Sequence, residues 1–572
     1  MSDTFDHNDM AAALDKAAAQ AQPAARTEEN EANAAKARER GWTAPQGYDY
    51  ASYNAAPVRG QEDLTEWGHK AAKYEWKDDF GDVGPAVEEL EKQLFRSELR
   101  MRQGTKLDNL ISINVTAESV DRPKPIKSFN EAGLHPMMVK NIELCGYQVP
   151  TPIQAYTIPA VLTGRDVIGI AQTGSGKTAA FLIPAISKLI GKVKKLAAPR
   201  VQFGNWDATT QGLPRGEPLI LVVAPTRELC IQIFDDARRL CYRSMLRPCV
   251  AYGGGPKRDQ KIEIQNGCDI LIATPGRLID LMNDSHVLSL ARVKYTIIDE
   301  ADEMLQSDWE EEMTKIMSGG DTNEDADHRY LMFSATFNKD LRSLARAYLS
   351  TDFVRIRIGR AGSTHINVKQ QLVFVNRDMK NQALYDLLIS MPPSRTIIFV
   401  NTKKTADFVD DYVFNNGLPS TSIHSDRTQQ EREDALRAFR TGKAPILVAT
   451  GVSARGLDIR NVMHVVNYDL PSYIHGGINE YIHRIGRTAR IGNEGLATSF
   501  YNDRDEDIAE DLIKILLESG QPIPDFLEDR QPAQGQPLDF NDDTDNEGDA
   551  QNGDNEAGGH TGAAAAPADD AW

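Results

Sequence analysis

The run Ala171-Gln-Thr-Gly-Ser-Gly-Lys-Thr178 has the residue types of a loop that holds a polyphosphate. Such a turn presents backbone N–H groups, and the positive end of a following helix adds to their pull on phosphate oxygens. Thr173, Gly174, Ser175 and Gly176 would form the cradle, Lys177 would reach the β- and γ-phosphates, and the Thr178 hydroxyl would hold Mg²⁺. Downstream, Ile297-Ile-Asp-Glu-Ala-Asp302 places carboxylates at the end of an apolar run. Asp299 suits the Mg²⁺ shell, and Glu300 suits orienting or deprotonating an attacking water. Together the two stretches supply the chemistry for splitting a nucleoside triphosphate. The usual loop pattern opens on Gly, where this chain has Ala171.

These residues need strands to deliver them and helices to receive the phosphates. Val167, Ile168 and Ile170 predict a strand before the loop, and a helix is expected from Ala179 to Ile190. Short apolar strands then alternate with helices: Leu219–Val223, Val250–Tyr252, Ile270–Ala273, Tyr295–Ile298 and Leu331–Ser334. The pattern restarts with Gln371–Val375, Thr396–Val400, Ser422–His424, Ile446–Ala449, His464–Asn467 and Ala497–Tyr501. Alternation of this kind predicts an α/β fold with two tandem domains, each a parallel sheet flanked by helices. The predicted organisation is a disordered N-terminal region (1–83), a partly helical extension (84–128) and a first domain (129–354). A linker (355–366) with Gly359 and Gly362 as hinges, a second domain (367–528) and an acidic disordered tail (529–572) follow. Within the extension, Val87, Leu90, Leu94 and Leu99 have helical spacing. Lys192–Gly216 and Gly319–Asp327 read as solvated insertions.

Hydrophobic residues make up 41% of the 572, enough for a substantial core, and no apolar run reaches the roughly 20 residues of a membrane span. The acidic N-terminus has neither an apolar secretory core nor an arginine-rich face, which argues against export and mitochondrial import. The five cysteines contain no C-x-x-C pair and read as buried thiols in a reducing compartment, not a metal site. Net charge is −19, but ten Asp and Glu residues and no Lys or Arg follow Arg530. An acidic total therefore leaves room for a local basic cleft that binds a phosphate backbone.

Asp299-Glu-Ala-Asp302 spells the name of the DEAD-box RNA helicases, and the resemblance runs from Phe129 to Leu527. It implies two RecA-like domains that bind ATP with Mg²⁺ and single-stranded RNA. The wording at Ala132-Gly-Leu134, Ile358–Thr364 and Phe500-Tyr-Asn-Asp-Arg-Asp505 is most similar to the Vasa-related branch. Gln154, in Gly146-Tyr-Gln-Val-Pro-Thr-Pro-Ile-Gln154, matches the family's adenine-recognising Gln, and an amide can pair with adenine N6 and N7 together. Phe129 would stack on the base. Pro225, Thr226 and Arg227, then Gly253, Gly254, Thr274, Pro275, Gly276 and Arg277, match RNA-contacting positions. These are turns with small residues and exposed N–H groups, suited to gripping phosphates without reading bases. Ser334 and Thr336 match the motif coupling the nucleotide site to strand separation, through hydrogen bonds to the acidic tetrad.

In the second domain, Gln429, Arg432 and Thr450 match further RNA contacts, and Asp458 the ribose contact. Arg484 and Arg487 lie three apart, so on a helix they share a face. Both are expected at the ATP phosphates once the domains close, with Arg487 as the arginine finger. Ser425 and Ala489 replace usual glycines, and the stretch 472–479 is longer than usual. The resulting expectation is an ATP-dependent RNA helicase that unwinds short duplexes locally, located in the cytoplasm with nuclear shuttling open. Translation initiation is the first pathway implied and messenger-ribonucleoprotein remodelling the next. The alternatives are an RNA clamp or scaffold with little unwinding, and a DNA-dependent helicase. The tails either solubilise the chain or carry partner motifs anchored on Trp42, Trp67, Trp76 and Trp572.

Overall fold

Fourteen strands form two sheets in the computed structural model, which describes residues 23–45, 83–95, 115–119, 123–172, 174–198, 214–306, 309–319, 327–337, 339–359, 367–451, 462–489 and 494–531. The first sheet contains β1 (Val115–Glu118), β2 (Val167–Ile170), β3 (Ile220–Val223), β4 (Pro248–Ala251), β5 (Ile270–Ala273), β6 (Tyr295–Ile298), β7 (Arg329–Ser334) and β8 (Val354–Ile358). Their order is β1-β8-β2-β7-β6-β3-β5-β4. The second contains β9 (Val368–Phe374), β10 (Thr396–Val400), β11 (Ser420–Ile423), β12 (Ile446–Thr450), β13 (His464–Asn467) and β14 (Gly495–Tyr501), ordered β11-β12-β10-β13-β14-β9. All pairs are parallel except β1 with β8. Two tandem RecA-like domains are thus present.

The reason lies in the strand sequences. β2 to β6 are buried at every position, as strands covered by helices on both faces must be. Successive side chains point to opposite faces. Ile220, Val222, Ile270, Ile272 and Ile297 accordingly enter one apolar layer. Leu221, Val223, Leu271, Ala273 and Ile298 enter the other. The second sheet divides in the same way, with Ile398, Val448 and Val466 on one side and Ile397, Leu447 and Val465 on the other. Gly169 has no choice of side chain. It pairs with Phe333, and a Cβ there would lie 2.5 Å from that ring.

Three expectations need correction. Residues 355–358, assigned to the linker, form most of β8 and pair with β2 and β1. β1 lies inside the predicted extension and pairs antiparallel to β8 in the first sheet, so that sheet is not wholly parallel. The third concerns the N-terminal region expected to be disordered. Pro23–Glu39 is a helix, and Ala37 and Trp42 are buried in the core of the second domain. The extension's helix spans Glu88–Leu94 and is followed by buried Phe95, edge-on to Tyr242 at 5.6 Å. It sits on the first domain, where the Tyr242 hydroxyl donates to Glu91 Oε2 at 3.0 Å and the Arg243 Nε–H to the Gly84 carbonyl at 2.8 Å. Leu99, Trp67, Trp76, Trp572, Gly362, most of both insertions and the acidic tail beyond Gln531 lie outside the described residues. Among the described residues no helix is long and apolar enough to cross a membrane.

Asp166 ties the amino ends of three strands of the first sheet. Its buried carboxylate accepts from Tyr330 N–H at 3.0 Å and Ser350 N–H at 2.8 Å, and its carbonyl accepts from Val354 N–H at 2.9 Å. Asp166→Ala strands two part-buried N–H groups, and bonds to a charged acceptor are the costly kind to lose. The expected destabilisation is about 2–4 kcal/mol, read from the first unfolding transition in urea, with Asp166→Asn losing less.

Candidate functional site

Apart from Phe129 and Gln154, which precede β2, the chemistry-bearing motifs of the first domain lie at the carboxyl edge of its sheet, at the ends of β2, β3, β4, β5, β6 and β7. Open parallel sheets bind ligands at this edge, because helix N-termini collect there. Thr226 caps the helix Arg227–Leu240, accepting from Leu229 N–H at 3.3 Å. In the second domain Thr402 and Thr428 cap the helices Lys403–Asn415 and Gln429–Thr441 in the same way.

The phosphate loop leaves β2, turns through Gly174 (φ 81°) and Gly176 (φ 93°), and enters the helix Lys177–Leu189. Both glycines adopt a backbone that other residues resist. Ala171 is fully buried with φ outside that region, so nothing there demands the usual Gly. The Lys177 ammonium is buried and donates to the Ala171 carbonyl at 2.9 Å, within the cradle it was expected to serve. Thr178 follows at the helix start, half-buried. Gln154 reaches the same loop: its Nε2 donates to the Gly176 carbonyl at 3.1 Å and its Oε1 accepts from Thr151 N–H at 3.0 Å. Its side chain is wholly buried, so in this arrangement it braces the loop. Phe129 is also buried, edge-on to Tyr147 at 6.4 Å. Thr173 lies outside the described residues.

The acidic stretch follows β6. Glu300 sits at φ 53°, a strained conformation for a side-chain-bearing residue, and its N–H donates to Asp299 Oδ1 at 3.0 Å. Burial pushes the Asp299 carboxyl up to about 7, with the Glu300 charge adding and Lys177 opposing. For Asp302 burial also acts upward, but His483 and Lys177 and hydrogen bonds from Thr336 and Ser334 outweigh it and hold the group below its ordinary value. Thr336 donates to Asp302 Oδ2 from its N–H at 3.0 Å and from its hydroxyl at 2.8 Å. The expected link between Ser334, Thr336 and the acidic tetrad is therefore present as geometry.

A narrow cleft joins the two domains here, lined by Lys177, Glu300, Asp302, Glu303 and Ala335 from the first and by His483 and Arg487 from the second. His483 went unassigned in the sequence reading, although it opens the segment that carries Arg487. Arg484 differs from expectation. It is 2% exposed and engaged within the second domain, by Glu480 Oε1 at 2.9 Å, the Asp469 carbonyl at 2.8 Å and Asn401 Oδ1 at 3.0 Å. Its guanidinium also lies 5.3 Å from the Phe399 ring centre. The shared-face argument fails because the helix Gly477–Ile485 ends at Gly486, and Arg487 leaves the helical path. Ala489 takes the backbone of the glycine it replaces, at φ 56°. In the longer stretch a short turn, Tyr473–His475, leaves Ile474 93% exposed. Asp458 lies outside the described residues.

The positions matched to RNA contacts form a second line of bridges between the domains. Arg432 Nη2 is 2.7 Å from Glu228 Oε1, and Glu228 is almost fully buried. Arg227 Nη1 donates to Gln429 Oε1 at 2.9 Å, and the Tyr252 hydroxyl to Glu433 Oε1 at 3.4 Å. Arg227 lies against Gly253 and Gly254, and a Cβ on Gly254 would lie 2.4 Å from its guanidinium. Arg277 donates to Gln260 Oε1 at 2.7 Å, while Gly276 is exposed between buried Pro275 and Arg277. Pro225 and Thr274 are buried beneath this face, and Thr226 and Thr450 are half-buried at its rim. Arg227, Gln429 and Arg432 are thus engaged with one another's domains.

The residues of this site fit Mg²⁺ with a nucleoside triphosphate. The cradle, the buried lysine and a buried carboxyl whose proton affinity is raised by burial are what a cation–polyphosphate complex would relieve.

Two family models match the chain: DEAD/DEAH box helicase over residues 151–344, and helicase conserved C-terminal domain over residues 379–492. Among solved structures, S. cerevisiae Dbp5 bound to RNA and ADP BeF3 is 29% identical; the match covers 70% of this chain and 95% of that one, at a TM-score of 0.58. Mss116p bound to ssRNA and AMP-PNP is 27% identical, over 70% and 78% of the two chains, also at 0.58. A DEAD box protein from the hyperthermophile Methanococcus jannaschii is 32% identical, over 70% and 99%, at 0.41.

The pair Glu228–Arg432 spans the two domains, so breaking it should oppose closure and leave each domain folded. Glu228→Ala or Arg432→Ala should each lower the closed-to-open ratio by about tenfold or more, because one charge remains buried and unpaired. Energy transfer between dyes on the two domains reads this. Glu228→Arg with Arg432→Glu should recover part of the loss, while unfolding midpoints stay near the parent's.

Proposed function

We propose that this chain, which belongs to the DEAD-box helicase family and is an ATP-dependent RNA helicase, hydrolyses ATP in the cleft shared by its two domains. The observation that carries the proposal is that cleft: Lys177, Glu300 and Asp302 face His483 and Arg487 across the domain boundary. Neither domain holds the full set, so catalysis requires both.

The roles follow from position. Lys177, with N–H groups from Gly174 to Thr178, would hold the β- and γ-phosphates, and Thr178 and Asp299 would hold Mg²⁺. The bound Mg²⁺ would neutralise phosphate charge during transfer. Glu300 would orient or deprotonate the attacking water, and its fixed backbone aims the carboxylate into the cleft. Arg487 would neutralise charge developing on the transferred phosphoryl group, a role worth about 10³–10⁵ in rate in related enzymes. Phe129 and Gln154 would select adenine, and Asp458 would contact the ribose. The face containing Thr226, Arg227, Gly253, Gly254, Thr274, Gly276, Gln429, Arg432 and Thr450 would grip a single RNA strand through phosphates. RNA in the Dbp5 and Mss116p structures supports that reading. ATP and RNA would each favour the closed form, so each should raise the other's affinity by the same factor. Asp302, tied to Thr336, would transmit the state of the cleft to β7.

The wording at Ala132–Leu134 and Phe500–Asp505 supports placement in the Vasa-related branch. On that ground the pathway is translation initiation, with messenger-ribonucleoprotein remodelling second and the tails as the source of factor contacts.

Steady-state ATP hydrolysis with and without single-stranded RNA, beside matched DNA, tests the function. Strong stimulation by RNA alone is expected. DNA stimulating equally would replace the RNA assignment, and tight ATP-dependent RNA binding with little turnover would favour a clamp. Lys177→Ala should abolish ATP binding. Glu300→Gln should bind ATP and RNA normally while hydrolysis falls about 10²-fold or more. Rapid turnover by that variant would remove Glu300 from its role.

A further inference from the structure

The N-terminal helix Pro23–Glu39 docks on the second domain at the end away from the cleft. Its contacts include Asn416 and Gly417, which end the helix Lys403–Asn415, and Gly41 just beyond it lies near Pro393, in the loop before β10. Both lie at the amino end of the parallel strands, opposite the catalytic edge. One stripe faces inward at helical spacing: Asn30 and Ala34 half-buried, Asn33 and Ala37 buried. Asn33 Nδ2 donates to Asn416 Oδ1 at 2.7 Å, and the Tyr385 hydroxyl donates to the Asn33 carbonyl at 2.6 Å. Ala34 lies against Gly417, where a Cβ would approach Ala34 Cα to 2.6 Å, so the fit requires a small residue on each side.

The helix then stops in a defined way. Gly41 takes φ 89°, its N–H donates to the Arg38 carbonyl at 3.0 Å, and Trp42 N–H donates to the Ala37 carbonyl at 3.0 Å. This paired bonding through a left-handed glycine turns the next side chain back toward the helix. Trp42 is thereby inserted, 4% exposed, into the layer formed by Leu384, Tyr385, Leu388, Val409 and Val413. The stripe itself contains no large apolar residue, so one tryptophan supplies most of the burial. A contact dominated by a single anchor concentrates its recognition in one side chain.

We propose that this end of the second domain is a peptide-docking site, occupied in cis by Asn30–Trp42 and exchangeable for a segment of the same chemistry supplied in trans. That chemistry is a helix with asparagine and alanine on one stripe, closed by Gly-Trp. The occupant in cis has the advantage of a covalent link, which raises its effective concentration without any added contact. A partner protein therefore gains the site when the resident segment is weakened or displaced.

A fluorescein-labelled peptide of residues 26–45 tests this against the full chain, with fluorescence anisotropy as the readout. The peptide should bind the Trp42→Ala chain about tenfold or more tightly than the unaltered chain, whose site is filled. Peptides carrying Trp42→Ala or Ala34→Leu should not bind the vacant site. Equal affinity for both chains would overturn occupancy in cis. Binding that survives either peptide change would overturn the recognition, and no binding to either chain would overturn an exchangeable site. RNA-stimulated ATP hydrolysis should be the same in both chains, which verifies that the variant is folded and keeps the outcome separate from the catalytic assignment.

Discussion

Burying like charges in one cleft is costly, and the arrangement around Asp299 shows how that cost shapes the rest of the molecule. Asp299 and Glu300 form the short turn after β6 and Asp302 lies in the first turn of the helix that follows, and burial already pushes the Asp299 proton affinity up. Lys177 offsets part of this from the start of the helix that follows β2, one strand removed from β6 because β7 lies between them. The remaining cations lining the cleft belong to the second domain, where Arg487 and, when protonated, His483 approach Asp302 and Glu300. Charge balance thus depends on an interface that can open. A cation-bound polyphosphate entering this cleft would add both signs at once, which links its presence to closure without a dedicated hinge signal.

The same logic explains the second line of contacts. Glu228 is nearly sealed from water, and its partner Arg432 comes from the other domain. Opening would return both ions to solvent, so much of the desolvation cost of the closed state would be recovered. Such a pair biases an equilibrium and adds little to the stability of either domain. Arg227 and Gln429 do the same with a neutral acceptor, and the bare backbone at Gly254 makes room for the guanidinium.

Much of this was legible in the chain. Strands buried on both faces leave continuous apolar runs, so Ile270–Ala273, Tyr295–Ile298, Thr396–Val400 and His464–Asn467 begin and end where the pattern placed them. β1 was not legible, because Val-Thr-Ala-Glu at a sheet edge has too little apolar character, and only its pairing with β8 defines it. β8 alternates instead, with Val354, Ile356 and Ile358 buried and Arg355 and Arg357 part-exposed, and two arginines in five residues resemble a linker. Arg484 misled for a different reason. Spacing of three implies a common face only while the helix continues, and the break at Gly486 separates the two arginines. Trp42 stood alone in a polar, alanine-rich stretch, where periodicity cannot distinguish a docked helix from a free one.

The placement of that helix has a structural consequence. In a parallel α/β domain the carboxyl edge is committed to the cleft, since every catalytic turn leaves from it. The amino edge has only returning connections, such as Asn416-Gly417 and the loop before β10, and these can change without moving a catalytic group. A docking site there is separated from the cleft by the length of the strands and by a core that is buried throughout β10 and nearly so along β12. Occupancy at one edge therefore need not alter chemistry at the other, and partner choice can vary while the nucleotide machinery stays unchanged.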